Sequence, residues 1–169
     1  MPDAAAYPDD EVIRLRRDLG DALPLPVWPA GFVPRTLSST ADAASLHALL
    51  SEVFPERRDE PFDAWWQKLS ADAEFDPALC FLVFDAEGRL AAAAQCWTSA
   101  YLKDLAVRLD ARRLGLGEAL LWQVFGAFRA RGAAHVDLKT HTLENRDAVR
   151  LYERLGMRRV PLAGVRSGG

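Results

Sequence analysis

Residues 101–157 contain the segments YLKDLAV (101–107), RRLGLG (112–117), EALLWQVFGAF (118–128) and AAHVDLKT (133–140), in that order. The first and last segments are apolar runs of strand length. The third places its large apolar residues at helical spacing, and Gly132 follows it as a helix-ending signal. Strand, glycine-rich loop, helix and strand make a βαβ unit. We expect this unit to organise the sheet and its loop to hold a ligand.

The loop at 112–117 has the composition of an anion site. Glycines let the backbone approach a ligand closely, and the free N–H groups and positive dipole end of the following helix favour phosphate. Arg112 and Arg113 add fixed positive charge at the same turn. A third glycine after Gly115 and Gly117 is missing, which disfavours a dinucleotide-binding Rossmann loop, and the absence of Gly-Lys-Ser/Thr excludes a P-loop.

Two motifs in this region resemble one known family. Arg112-x-x-Gly115-x-Gly117 resembles the acyl-CoA pyrophosphate loop of the GNAT superfamily of N-acetyltransferases, which carries Gln/Arg-x-x-Gly-x-Gly/Ala. Downstream, NRDAVRLYERLGM (145–157) resembles the family pattern Asn-x-x-Ala-x-x-Leu-Tyr-x-x-x-Gly-Phe/Met. Two motifs in the right order and separation are far more specific than either alone.

The resemblance implies an α+β fold with a central mixed, largely antiparallel sheet and about four flanking helices. In that fold, the fourth and fifth strands start parallel and splay apart, and here they would be residues 101–107 and 133–140. We expect a single domain over residues 31–169. Residues 1–30 are proline-rich and predict an extended N-terminal arm, with a short helix at 10–19 that Gly20 stops.

The remaining segments fit the same layout. We predict a strand at 32–37, a helix that starts at Ser38-Ser39-Thr40 and ends near Phe54-Pro55, and a second helix at 62–69. Strands at 79–84 and 90–97 flank a turn, although the four alanines at 91–94 prefer helix. The C-terminal residues leave room for one short strand near 159–165. Trp65 and Trp66 belong either to a substrate pocket or to the core.

Composition narrows the function classes. The net charge of −3 lacks the basic field that nucleic-acid binding needs. No apolar run approaches the ~18 residues of a membrane span, and the N-terminus lacks a signal-peptide pattern, so we expect a cytoplasmic protein with no membrane partner. Cys80 and Cys96 are expected to be buried, reduced thiols. The three histidines have no metal-ligand spacing, so no metal is expected.

The resemblance also implies acetyl-CoA as cosubstrate and assigns residues to it. The backbone of Leu105, Ala106 and Val107 would pair with the pantetheine arm, and the Leu105 amide would face the thioester oxygen. The remaining implied contacts are Arg112, Arg113, Leu114, Gly115, Leu116, Gly117 and Glu118 at the pyrophosphate, and Asn145, Ala148 and Tyr152 on the second helix.

Tyr152 is the predicted proton donor to the leaving thiolate, because a phenol with a pKa near ~10 is protonated at neutral pH. The alternative is an aromatic side chain that packs the helix on the sheet. Asn145 is either a pantetheine contact or a helix N-cap, and the two roles are compatible. The segment from Thr140 to Asn145 is one residue longer than the family spacing, which predicts a bulge there.

The general base and the amine acceptor stay open. Tyr101, Lys103, Asp104, Lys139, His141 and Glu52 all lie near the predicted site, and none is preferred. Acceptors in such a family include polyamines, aminoglycoside-like compounds, amino acids and protein N-termini. The acidic residues at 52–60 suit a cationic acceptor or form a solvated turn. The long arm and short C-terminus predict a homodimer that covers sheet edges. The competing function is a non-catalytic module that binds acyl-CoA or a protein partner.

Overall fold

The computed structural model of the chain describes residues 9–162. Within that range the chain forms seven strands and four α-helices. The strands are β1 (Val12–Asp18), β2 (Val33–Thr36), β3 (Phe75–Phe84), β4 (Leu90–Trp97), β5 (Tyr101–Val107), β6 (His135–His141) and β7 (Arg158–Val160). The helices are α1 (Thr40–Val53), α2 (Phe62–Ala71), α3 (Leu116–Ala130) and α4 (Arg146–Arg154). Short 3₁₀ turns cover Pro55–Arg57 and Leu109–Ala111.

The strands form a single sheet in the order β2-β3-β4-β5-β6-β1-β7. Every neighbouring pair is antiparallel except β5 and β6, which are parallel. The predicted fold class is therefore confirmed: the chain is α+β, with a mixed and largely antiparallel sheet and one splayed parallel pair. The short C-terminal strand is also found, at Arg158–Val160. Residues 163–165 of that prediction lie outside the described residues.

The predicted helix at 10–19 is wrong, because Val12–Asp18 is strand β1. It pairs antiparallel with β6 on one side and β7 on the other, and so takes a position inside the sheet. The physical reason is a period of two: Ile13 and Leu15 enter the core, while Arg14 and Arg16 bind Asp137 on the other face. The alternation is visible in VIRLRRD, and it outweighs the helix signal. The strand beside β6 thus comes from the N-terminal part of the same chain.

The alanine-rich strand β4 is a strand, as predicted from its place in the chain. All eight of its residues are buried. It lies near the middle of the sheet, where α1 contacts one face and α3 contacts the other. Small side chains let both helices approach closely, so packing on two faces outweighs the helical preference of alanine.

Two cores sandwich the sheet. On one face, Leu120 and Phe125 of α3 pack with Leu15 of β1 and with α4. On the other face, α1 and α2 cover β3, β4 and β5, and Trp65 is buried there. Trp66 packs edge-on against Phe75, with ring centroids 5.7 Å apart. Both tryptophans therefore belong to packing rather than to a substrate pocket.

Three further predictions concern the start of α1, the two cysteines and membrane-spanning helices. Ser39 is the N-cap of α1, and its hydroxyl accepts a hydrogen bond of 3.1 Å from Asp42 N–H. Cys80 and Cys96 are buried free thiols, and burial raises the pKa of Cys80 to about 12. Among the described residues, no helix combines the length and the apolar character needed to cross a bilayer.

Candidate active site

Strands β5 and β6 separate almost as soon as they meet. They share one register pair, Tyr101 with Asp137, beside a hydrogen bond of 3.0 Å from Asp137 N–H to the carbonyl of Ala100. Beyond that pair the two backbones diverge. We call the opening the β5–β6 gap. Backbone groups that face it have no neighbouring strand to pair with and are available to a ligand.

The register with β4 decides which groups of β5 face this gap. Arg108 N–H donates to the carbonyl of Ala91 at 2.8 Å, so its backbone points toward β4. Because backbone groups alternate along a strand, Ala106 also turns toward β4, and Leu105 and Val107 turn toward the gap. The predicted pantetheine contacts at Leu105 and Val107 are therefore placed at the gap. Ala106, the third predicted pantetheine contact, does not face the gap, because it is only 1% exposed and packs toward α1.

A cleft of about 990 Å³ opens from the gap toward the starts of α3 and α4. This volume is at the upper end for small-molecule pockets. Of the sequence-predicted site residues, the cleft brings together Leu105, Val107, Arg112, Arg113, Gly115, Leu116, Gly117, Glu118, Asn145, Ala148 and Tyr152. Leu114 does not line it and is exposed. The cleft is also lined by residues that sequence reasoning missed, namely Val53, Phe54, Ala111, Leu143, Glu144, Arg146, Asp147, Leu151 and Arg154.

The loop before α3 presents backbone donors to the cleft. Arg113 and Gly115 both have left-handed backbones, with φ values of 63° and 90°. Gly115 is the N-cap of α3, and its carbonyl accepts the first helical hydrogen bond, from Ala119 N–H at 3.0 Å. The N–H groups in the first turn therefore have no helical partner. This arrangement fits a phosphate, because donors and the helix dipole point the same way.

Gly117 is placed where the chain passes close to two neighbours. A Cβ atom there would lie 3.5 Å from Leu151 Cδ2 and 3.9 Å from Val107 Cγ2. Both distances are ordinary contacts, so a side chain is not forbidden by the protein itself. A methyl group would instead occupy space between α4 and β5 at the floor of the cleft. The glycine thus keeps room for a ligand.

The charges at this end of the cleft favour an anion. Arg112 Nε donates to the carbonyl of Val107 at 3.3 Å, and Arg154 forms an ion pair with Glu118 at 3.3 Å. The guanidinium groups of Arg113 and Arg146 form no hydrogen bond or ion pair with other residues of the described part of the chain. Two uncompensated cations beside the free N–H groups suit a diphosphate.

Tyr152 lines the cleft from α4 while its ring packs in the core beside α3. The predicted role of Tyr152 as a proton donor and its role in packing the helix on the sheet are therefore sterically compatible. Burial raises the pKa of the Tyr152 phenol, and the nearby carboxylate of Asp104 raises it further. The hydroxyl consequently carries its proton at neutral pH, which a proton donor requires.

Asn145 does not act as a side-chain cap for α4. Its Nδ2 donates instead to the hydroxyl of Thr140 at 3.2 Å, which ties the start of α4 to the end of β6. Asn145 thus occupies the predicted N-cap position, and its carbonyl accepts from Val149 N–H at 2.9 Å, but its side chain does not cap the helix. Ala148 lies one helical turn further along the same face of α4 and lines the cleft.

The turn between β6 and α4 is held by a residue from the N-terminal segment. Asp10 Oδ1 accepts hydrogen bonds from Leu143 N–H at 2.7 Å and Glu144 N–H at 3.3 Å, and Oδ2 lies 2.7 Å from His141 Nδ1. Desolvation opposes ionisation of Asp10, but these hydrogen bonds lower its pKa overall. No sequence signal reveals this clamp, because Asp10 and the turn are more than 130 residues apart.

The same three side chains form a compact group. The ligand atoms of Asp10, His141 and Glu144 lie within 4.8 Å of one another. The hydrogen bonds of Asp10 to the turn account for this grouping. Leu143 and Glu144 line the cleft, so the clamp fixes part of the cleft wall. The longer spacing between Thr140 and Asn145 is thus absorbed in a turn that Asp10 holds.

Four of the six candidate bases, namely Asp104, Lys103, Tyr101 and His141, bind other residues. Asp104 is buried, and although desolvation raises its pKa, Lys103 and Arg57 lower it overall. Tyr101 has a raised pKa because it is buried, and its phenol accepts a hydrogen bond from Lys139 N–H. His141 is bound to Asp10, and Glu52 is exposed on α1. The structure therefore singles out none of them as the group that deprotonates an amine.

Comparisons with known proteins agree on one family. The model of the acetyltransferase (GNAT) family matches residues 43–157. A GCN5-related N-acetyltransferase from Sphaerobacter thermophilus is 27% identical with a TM-score of 0.78, over 89% of this chain and 48% of its own. The ribosomal-protein-S18-alanine N-acetyltransferase from Escherichia coli is 25% identical with a TM-score of 0.60, over 74% and 76%.

A third structure contains CoA. It is an aminoglycoside N-acetyltransferase that is 16% identical with a TM-score of 0.62, over 83% of this chain and 99% of its own. At that identity the likeness shows the fold alone. The chain spans about half the length of the Sphaerobacter protein, at 48%. Among curated proteins, no sequence matches the chain.

Proposed function

Because this chain belongs to the GNAT acetyltransferase family, we propose that it transfers the acetyl group of acetyl-CoA to a primary amine. The observation that carries the proposal is the composition of a single cleft. The cleft joins the free N–H groups in the first turn of α3, the gap-facing backbone of Leu105 and Val107, and the protonated phenol of Tyr152. Acetyl-CoA supplies an acetyl group activated as a thioester.

We assign the contacts of the donor to groups that line the cleft. The N–H groups of Leu116, Gly117 and Glu118, with the guanidinium groups of Arg113 and Arg146, hold the diphosphate. The backbone of Leu105 and Val107 pairs with the pantetheine amides as an added strand would. Holding both reactants in one cleft supplies much of the rate, because the encounter no longer costs translational freedom.

The Leu105 amide and Tyr152 act on the reacting atoms. Leu105 N–H faces the gap and stabilises negative charge that develops on the thioester oxygen. The amine nitrogen forms a bond to the carbonyl carbon as the carbon–sulfur bond breaks. Tyr152 donates its proton to the departing sulfur, the proton lost by the amine passes to solvent, and solvent returns a proton to Tyr152 before the next turnover.

One observation favours a second candidate, a module that binds acyl-CoA without transfer. Asp104 is held by two cations, and the Tyr101 phenol is hydrogen-bonded and protonated. No ready base is therefore present among these groups. This candidate predicts CoA binding without turnover of any amine.

The homodimer and the cytoplasmic location stay predictions.

Titration calorimetry with CoA, followed by release of free thiol from acetyl-CoA with a panel of amines, tests the proposal. We expect CoA to bind and at least one amine to be acetylated. The Tyr152→Phe variant should bind CoA as the parent does and lose turnover. Binding with no turnover on any amine favours the second candidate, and the absence of CoA binding contradicts both.

A further inference from the structure

The cleft passes through the sheet to its other face. Besides α3 and α4, it is lined by Val53 and Phe54 at the end of α1, and α1 packs on the opposite side of the sheet. The inference below rests on the proposed function, in which the donor fills the side of α3 and α4. The amine must then approach the thioester from the α1 side. We call Phe54, which lines the cleft, together with Arg57, which stacks on it, and Lys103, which shares Asp104 with Arg57, the acceptor end.

Two cations converge on one carboxylate at the acceptor end. Arg57 Nη2 lies 2.7 Å from Asp104 Oδ1, and Lys103 Nζ lies 3.1 Å from Asp104 Oδ2. The Arg57 guanidinium also stacks over the Phe54 ring, 4.5 Å from its centroid. The side chains of Asp104, Lys103 and Arg57 are 4%, 12% and 35% exposed. Two cations therefore share one buried carboxylate, while Glu56 and Glu60 attract Arg57 only from the exposed side.

Lys139 adds a further positive charge on the side of this cluster that faces the β5–β6 gap. Lys139 lies across the gap on β6, and its ammonium group forms no hydrogen bond or ion pair with residues 9–162. The acidic residues of the α1–α2 segment are on the outer side: Glu56 is exposed, and Glu60 pairs with Lys68 at 3.2 Å. Both attract Arg57, but water screens charges at that surface. The expectation that these acids favour a cationic acceptor is not supported by where they lie.

We propose that the acceptor carries a carboxylate close to its amine, as a free amino acid does, and that Arg57 and Lys103 bind this carboxylate. Arg57 makes one side-chain hydrogen bond in the described structure, to Asp104, which leaves most of its N–H donors available. A guanidinium matches a carboxylate with two parallel hydrogen bonds. Phe54 fixes the plane of the guanidinium at the mouth of the cleft.

The same charges help the reaction. Nearby cations disfavour the protonated form of a bound amine, so the neutral nucleophile is populated more readily at a given pH. A dedicated base is then less necessary, which fits the absence of a free candidate among the groups around Asp104. A polyamine or an aminoglycoside would bring several positive charges to a site where two cations already share one carboxylate.

The test compares matched acceptors in the thiol-release assay. Alanine and alaninamide differ in the carboxylate, and spermidine serves as the polycation. We expect kcat/KM for alanine to exceed that for alaninamide by about tenfold or more, equivalent to ~1.4 kcal/mol. The assay is run at about pH 7, where the less basic amine of alaninamide is deprotonated to a larger extent, so the supply of neutral amine favours the amide and opposes this order. Equal or better use of alaninamide or spermidine would overturn the proposal and leave acetyl transfer intact.

Substitutions at Arg57 test whether this residue causes the preference for alanine over alaninamide. Arg57→Ala should remove the advantage of alanine without changing KM for acetyl-CoA. Arg57→Gln, which keeps a hydrogen-bond donor for Asp104, gives a second reading if the first variant unfolds. Arg58→Ala is the matched control, because Arg58 is the next residue and is exposed. A preference that persists in both Arg57 variants counts against the assignment.

A binding measurement separates this inference from the proposed function. If no amine is acetylated, the proposed function fails. Calorimetry with N-acetylalanine in the presence of CoA then decides the inference alone. Binding that Arg57→Gln weakens by about tenfold or more, and Arg58→Ala does not, supports the carboxylate site. An absence of binding overturns it.

Discussion

The phenol oxygen of Tyr101 accepts a hydrogen bond from the backbone N–H of Lys139, two residues beyond the pair at which β5 and β6 last share register. One side chain therefore satisfies a donor of β6 after the backbone of β5 has moved away. Buried backbone donors without partners are costly, so this bond helps the sheet to tolerate the β5–β6 gap. The opening is a stabilised feature of the fold.

Tyr101→Phe should lower the free energy of unfolding by about 1–2 kcal/mol, because it leaves the Lys139 N–H without its acceptor and changes little else. Urea unfolding followed by circular dichroism measures the effect. The slope of the transition should stay the same, since the folded state keeps its shape. A free energy of unfolding equal to that of the parent would show that solvent already satisfies this N–H.

Gly115 and Gly117 should respond differently to alanine. Gly115 has a φ of 90°, so Gly115→Ala should cost about 1–2 kcal/mol of stability from left-handed strain. Gly117 has only ordinary contacts around a new Cβ, so Gly117→Ala should leave stability nearly unchanged. Its methyl group enters the cleft floor and should weaken CoA binding by about tenfold. Thermal unfolding and calorimetry with CoA measure the two effects separately.

Each variant is the control for the other. Strain alone predicts that stability falls with Gly115→Ala and not with Gly117→Ala. Loss of ligand space predicts weaker CoA binding in Gly117→Ala at unchanged stability. If Gly117→Ala binds CoA as the parent does, the backbone at 117 is not close to the ligand, and the placement of the diphosphate at this loop is contradicted.

The local parts of the fold were predictable because they depend on short-range patterns. The glycine loop, α3 and the strands on either side of it follow from spacing and turn chemistry within residues 101–140. Strand β4 needed one non-local argument, since its alanines favour helix. The order of the segments supplied that argument, because the turn before residues 90–97 and the strand after them leave room for a strand and little else.

The parts that sequence reasoning missed depend on pairing between distant segments. Strand β1 has a period-two alternation in VIRLRRD, but the strands that it pairs with, β6 and β7, follow more than 100 residues later, so its position inside the sheet could not be predicted. The Asp10 clamp and the contact of Arg57 with Asp104 were missed for the same reason: nothing in the sequence around an acidic residue identifies its distant partner. Such contacts are set by the tertiary fold, which a local pattern cannot show.

Asp10→Ala should loosen the turn that forms one wall of the cleft. The variant loses the acceptor for Leu143 and Glu144 N–H and the partner of His141. We expect faster amide hydrogen exchange at the turn and a several-fold weaker affinity for CoA, because ligand binding must then order the segment. Hydrogen-exchange mass spectrometry and calorimetry report the two effects.

Asp9→Ala is the matched control, since Asp9 is the preceding residue and is exposed. It removes the same charge from the same segment without touching the turn. Equal effects of the two variants would mean that net charge, rather than the clamp, influences CoA binding. Unchanged exchange at Leu143 and Glu144 in Asp10→Ala would contradict the structural role given to Asp10.

The pH dependence of turnover tests the role of Tyr152. Burial, and then the charge of Asp104, raise the pKa of its phenol, so the acid form persists to higher pH than in an exposed tyrosine. From about pH 6 to about pH 10, kcat should therefore rise or level off as the bound amine loses its proton, without a fall near ~10, the ordinary phenol value. Thiol release at saturating substrates measures this profile.

Tyr152→Phe should lower kcat by about 100-fold or more across that range while CoA affinity stays within about twofold, because proton donation acts on the leaving sulfur and not on binding. Circular dichroism at each pH confirms that the fold persists. A parent profile that falls with an apparent pKa at or below the ordinary phenol value would mean that an acid other than buried Tyr152 is being titrated. An unchanged kcat in Tyr152→Phe would leave the ring with a packing role alone.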